Sequence, residues 1–199
     1  MTALVEHLES HGKTIQQLRF KTGRGLWMDA IGRVEAEKKE RTFESAARVY
    51  AQEIAKEVEY DLLIIPTLYV QNARVSRRWA KWDDAKERIP LKGRLTGNMR
   101  FEQVTGTTFK AASIMTAIYT PAGQEVHTKK RGLQLIEHIE VSGGKGSDRN
   151  TNYFQQVMNQ PAIENTELVR AGVAAVLYPL VPHEKAVKPV SNDESDKSE

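Results

Sequence analysis

The stretch that most constrains the fold is "RTFESAARVYAQEIAKEVEYDLLIIPTLYVQ", residues 41–71. Phe43, Ala46, Ala47, Tyr50, Ala51, Ile54, Ala55 and Val58 recur at helical spacing, the signature of an amphipathic helix buried on one side. Thr42 can cap its start, and Glu44 favours the first turn by facing the positive end of the helix dipole. The following "DLLIIPTLYVQ" is too short and too β-branched for a second helix and reads as a buried strand. Pro66 lacks an N–H, so it demands a bulge or an unpaired edge at that point. A helix that runs straight into a buried strand commits the chain to α/β architecture.

The rest of the chain can be read around that anchor. "MTALVEHLESHGK" is a helix with Leu4, Val5 and Leu8 on one stripe, ending near Gly12. A strand is expected from about Thr14, and a helix as first element suggests that a strand belongs before it. From Arg77 to Gly132 the text is strands and turns, with "TPAGQ" as a hairpin loop in which Gly123 takes a positive φ. "RGLQLIEHIEV" suits a strand or a short helix, and "SGGKGSDRNTN" is a polar, glycine-rich loop. "NTELVRAGVAAVLYPLVP" is a closing helix that buries Leu168, Val169, Gly172, Val173, Val176 and Leu177 and stops before Pro179. The expectation is a single α/β domain over 1–182, a mixed and largely antiparallel sheet with helices packed against it. Residues 183–199 are expected to form a disordered polar tail.

A chain of 199 residues buries about 70% of its unfolded surface, enough for a sizeable core. The net charge is +3. The tail sets Lys185, Lys188 and Lys197 against Glu184, Asp193, Glu194, Asp196 and Glu199, a net −2 that leaves +5 on the body. Such a body favours anionic surfaces without marking a dedicated nucleic-acid binder. With no cysteine there is no disulfide, thiol nucleophile or cysteine metal site. No run approaches the ~18 apolar residues of a membrane-spanning helix, and "MTALVEHLESHGK" as written is not expected to be a signal peptide.

The motifs with chemical potential are thin. In "FKTGRGLWMDAI", Gly23 and Gly25 have G-x-G spacing, but Met28 stands where a dinucleotide fingerprint needs a third glycine. A tight turn leading into a helix is the better reading. In "SGGKGS", Gly146 splits Lys145 from Ser147 and spoils a phosphate loop. His127, Glu137, His138 and Glu140 form a metal-like grouping, yet a strand would align only His138 and Glu140. No G-x-S-x-G elbow presents a serine. Asp83 and Asp84 are adjacent, which suits turn acids better than a cooperating carboxylate pair. No cofactor, metal or catalytic residue is therefore expected.

"RVSRRWAKWDDAKERI" remains. On a strand Trp79 and Trp82 point to opposite sides, so they cannot form one stacking platform. Arg77, Trp79 and Lys81 share one face; Arg78, Ala80 and Trp82 share the other. Trp82 is the expected core residue, and Trp79 is expected to lie under arginine stems. Arg77, Arg78, Trp79 and Lys81 are the candidate partner-binding residues.

The order of parts also carries a resemblance. The "RGLW" segment, the Ala-rich helix, "YDLLIIPTLYVQNARV", the "AKWDDAKERIPLKG" ribbon, the "PAGQEV" hairpin, "RGLQLIEHI" and the closing helix follow in sequence. Over residues 1–182 this order resembles a group of uncharacterised bacterial envelope lipoproteins, similar in fold to the TolB amino-terminal domain and the curli secretion lipoprotein CsgG. The resemblance implies a non-catalytic, envelope-associated interaction or accessory module of an outer-membrane or secretion assembly. It implies a protein partner in the envelope, or self-association, and a periplasmic or outer-membrane-associated place. That group carries a signal peptide and an acylated cysteine, so membrane contact would come through a lipid anchor upstream of Met1. If the chain instead begins at Met1, the alternative is a cytoplasmic nucleic-acid-binding protein, favoured by the +5 body.

Overall fold

A computed structural model describes residues 2–37, 40, 42–93, 108–143, 152–158 and 165–181. The expected Ala-rich helix is α3, Phe43–Glu57. Thr42 Oγ1 accepts from the Ser45 backbone N–H while Ser45 Oγ accepts from the Thr42 N–H, a reciprocal cap that satisfies two otherwise orphaned donors. The chain then enters β1, Leu63–Ser76. Its burial is one-sided rather than complete, with Leu68, Val70, Asn72, Arg74 and Ser76 all exposed.

Strands β2 (Trp79–Trp82), β3 (Ala85–Arg88), β5 (Thr108–Tyr119) and β6 (Glu125–Leu135) join β1 in a five-stranded antiparallel sheet, ordered β3-β2-β1-β5-β6. A second sheet is β4 (Leu91–Gly93), β7 (Glu137–Gly143) and β8 (Asn152–Met158), with β4 parallel to β7. The fold is mixed α/β with a largely antiparallel sheet, as expected. Pro66 pairs with Thr116 in unbroken register. Because β2 meets β1 only at Arg74–Ser76, no described strand lies on the far side of Pro66, an edge position of the kind that tolerates proline.

The β2–β3 ribbon curls over one face of the sheet, so that the sheet approaches a barrel. The Trp82 indole is buried and donates from Nε1 to the Ala112 carbonyl at 3.2 Å. The Gly132 N–H donates to the Asp83 carbonyl at 2.9 Å. A Cβ on Gly132 would lie 2.4 Å from Trp82 Nε1 and 2.5 Å from Ala85 Cβ, so only glycine lets the ribbon settle on β6. Beneath it lies an apolar cluster that includes Ala73, Val75, Ala80, Phe109, Ala111 and Ile139.

Helix α3 covers the other end of that face, where Ala47 and Ala51 meet Ala117 and Tyr119. On the opposite face α4, Thr166–Leu177, seats Val173, Val176 and Leu177 on Ile114 and Ile118. It stops before Pro179, as expected. The first helix, α1 (Thr2–Ser10), ends with Gly12 at φ 71°. It packs Leu4 and Leu8 into the α4 cluster, so the docking partner lies at the far end of the sequence.

Three expectations fail. No strand follows Gly12: residues 13–19 are irregular, and Gly23 and Gly25 lie inside helix α2, Phe20–Ala36, not in a turn before it. Leu26, Trp27 and Ala30 pack on or beside α3, Val34 is buried at the next turn, and that burial outweighs the helix-weakening glycines. Gly23 has its own reason, since a Cβ there would lie 3.1 Å from the Tyr50 hydroxyl. The loop expected over 142–152 is in part strand, with Ser142 and Gly143 closing β7 and Asn152 opening β8; residues 144–151, and the tail 183–199, lie outside the described residues.

Candidate anion-binding face

Residues 74–88 carry Arg74, Arg77, Arg78, Lys81, Lys86 and Arg88 against Asp83, Asp84 and Glu87. The pleat sorts these charges. Arg74 pairs across to Lys81 and Lys81 to Lys86; Ser76 pairs to Trp79 and Trp79 to Arg88. Directly opposed residues share a face, and all of these are exposed. One outer face therefore holds a row of three cations and, beside it, a row of Ser76, Trp79 and Arg88. Strand spacing makes the cationic row about 10 Å across, with the rows about 7 Å apart.

Two of the three acids turn the other way. Glu87 points inward and accepts the Leu135 N–H at 2.9 Å. Burial raises its carboxyl above the ordinary range, and that hydrogen bond opposes part of the rise. Asp83 accepts from the Tyr69 hydroxyl at 2.5 Å and from Gln71 Nε2, which also donates to Ser113 Oγ at 2.9 Å. The Tyr69 phenol is pushed far up, first by burial and then by the Asp83 carboxylate. Asp83 and Asp84 have φ of 34° and 57°, the left-handed pair of a two-residue hairpin turn. They are turn acids, as expected, but Asp83 also ties the turn to β1 and β5. Asp84 stays exposed at the turn.

Like charges directly opposed on a sheet are destabilising. Among the described residues Arg74, Lys81 and Arg88 have no carboxylate within ion-pair distance. The Lys86 ammonium lies 4.4 Å from the Trp79 ring centroid, so the cation over that ring is a lysine and not the expected arginine. Trp79 is 41% exposed and Trp82 6%, matching the split read from their odd separation. Arg77, at φ 57°, and Arg78 form the β1–β2 turn at the end of the face.

The register thus gathers Arg74, Lys86 and Arg88 around Trp79 and Lys81. Sequence reasoning missed these three because it followed one strand at a time. The signal was present: a two-residue turn at Asp83–Asp84 fixes Lys86 opposite Lys81.

The metal-like grouping disperses. His127 Nε2 lies 2.8 Å from the Val176 carbonyl of α4. Glu137 accepts the Lys110 N–H and the Gln156 amide. His138 and Glu140 are neighbours on β7, 3.2 Å apart, the two-ligand alignment a strand allows. No three His, Asp or Glu side chains gather around a common point among the described residues. Among these residues, too, no helix is long and apolar enough to cross a membrane.

Compared with protein-family models, curated proteins and solved structures, the chain matches none.

Proposed function

We propose that the chain is a non-catalytic nucleic-acid-binding module that holds the sugar–phosphate backbone on the outer face of the β1–β2–β3 ribbon. The observation that carries this reading is the directly opposed row Arg74, Lys81 and Lys86. Folding brings three cations together at an electrostatic cost and turns Glu87 and Asp83 away. A backbone with a phosphate at every nucleotide relieves that repulsion and releases its own counterions on binding.

The reading drawn from the resemblance, an envelope-associated protein-contact module, would use the same Arg77, Arg78, Trp79 and Lys81 as its anchor. Tryptophan and arginine do dominate protein interfaces. A contiguous cationic row with an exposed tryptophan suits a repeating anion better, because a protein partner would have to supply several buried carboxylates at once.

The test is fluorescence anisotropy with a labelled 12-nucleotide probe at low salt. Neutralising Arg74, Lys81 and Lys86 together to Gln should weaken binding at least tenfold. Neutralising Arg33 and Lys56, which hold Glu53 on α2 and α3, should leave it unchanged. Equal loss from both variants would reduce the interaction to net charge and defeat the proposal.

A further inference from the structure

We infer that this face takes single-stranded nucleic acid rather than duplex, with unpaired bases laid on Trp79 and along β1; the inference rests on the nucleic-acid reading above. The cations alone would serve either form, since both present phosphates. What distinguishes the forms is the apolar part of the same face.

Trp79 keeps 41% of its surface open although it sits among charges. Across the ladder it meets Ser76 on one side and Arg88 on the other, and the Lys86 ammonium lies 4.4 Å from its ring centroid, so these neighbours are polar or cationic. Further along β1, alternation puts Val70 and Leu68 on the same side as Ser76, Arg74 and Asn72. They are 57% and 45% exposed. Lys110 reaches this side from β5, its Nζ donating to Asn72 Oδ1 at 2.8 Å. From Leu68 to Ser76 the track runs about 26 Å, room for several nucleotides of an extended strand.

A track with apolar surface beside cations matches a ligand that is apolar and anionic along one length. An unpaired strand is such a ligand, because its bases expose their faces while its phosphates remain charged. A duplex hides those faces in the stack and offers only groove edges and phosphates. Against a duplex, Leu68, Val70 and the Trp79 ring would meet phosphate or water and gain nothing. Stacking on Trp79 and charge pairing with phosphates both accept any base, so weak sequence preference is the consequence.

The experiment compares the full chain on labelled 12-nucleotide oligothymidylate and on a 12-base-pair duplex, at equal salt, for the parent, Trp79→Ala, Trp79→Phe and Leu68→Ser/Val70→Ser. The parent should bind the single strand at least tenfold more tightly than the duplex. Trp79→Ala should weaken single-strand binding by about 5- to 100-fold and leave duplex binding within twofold, while Trp79→Phe recovers most of the loss. Leu68→Ser/Val70→Ser should weaken the single strand alone. If duplex binds as tightly as single strand and Trp79→Ala changes neither, the single-strand inference is overturned and the backbone-binding reading stands. If the parent binds neither probe at low salt, the nucleic-acid reading itself is overturned, and this inference with it.

Discussion

Replacing each ribbon tryptophan by alanine should produce two unlike proteins. Trp82 is 6% exposed and Trp79 41%, and the extra area that Trp82 buries is about 90 Å² on a side chain of this size. At about 25 cal/mol per Å² that difference contributes about 2 kcal/mol. Trp82 also loses its Nε1 bond to the Ala112 carbonyl, about 1 kcal/mol more. Removing it opens a void beside Gly132 and Ala85, whereas solvent fills the space left by Trp79. Trp82→Ala should therefore cost about 3–5 kcal/mol, in the usual range for a buried aromatic, and Trp79→Ala about 3 kcal/mol less. For a domain of this length the gap corresponds to about 6–12 °C in Tm. Thermal melts followed by circular dichroism, with urea titrations for the free energies, measure it. Melting temperatures within 2 °C of each other, or a less stable Trp79→Ala, would refute the placement of the ribbon.

Three further perturbations probe the same architecture. Gly132→Ala pushes a methyl into Trp82 and Ala85 and should lower stability by about 1–3 kcal/mol; a urea midpoint equal to the parent's would mean the ribbon does not rest on β6. Val176→Asp puts a charge at a fully buried position of α4, at a cost of several kcal/mol, and near-ultraviolet circular dichroism of any soluble product should show lost packing; a native spectrum would mean α4 is not docked. Glu87 has its carboxyl raised above the ordinary 4.5 by burial, so the folded state holds more protons than the unfolded one and stability falls as pH rises through the interval between the two values. Glu87→Gln should flatten that fall and lie at or above the parent in stability at pH 7; a variant whose stability keeps the parent's pH slope would show that Glu87 is not its source.

Legibility in the sequence followed the range of the interactions. The cap at Thr42, the stripe of α3, the glycine turn at Gly123 and the stop before Pro179 are local, and each could be read within a few residues. The start of helix α2 was placed too late because Gly23 and Gly25 resemble turn residues; only the approach of Tyr50, far along the chain, explains one of them. Strand β8, NYFQQVM, was missed because its apolar residues do not alternate cleanly with polar ones and it follows directly on the glycine-rich stretch. The site was half legible. Trp79, Lys81 and the odd separation from Trp82 could be read from one strand, and so could the turn acids Asp83 and Asp84. The row Arg74, Lys81 and Lys86 is a property of register, set by two hairpin turns acting together. The inward course of Glu87 and Asp83 depends on Leu135 and Tyr69, which neither spacing nor composition connects to them.

The salt dependence of binding tests the central claim most directly. If Arg74, Lys81 and Lys86 each neutralise one phosphate, the plot of log affinity against log salt for a single strand should have a slope of about −2, from about −0.7 per contact. Lys81→Gln, at the middle of the row, should make that slope shallower by about 0.7 while leaving the fold intact, since Lys81 is exposed and has no ion-pair partner among the described residues. A slope near zero in the parent, or one that neither Lys81→Gln nor Lys86→Gln alters, would contradict the account.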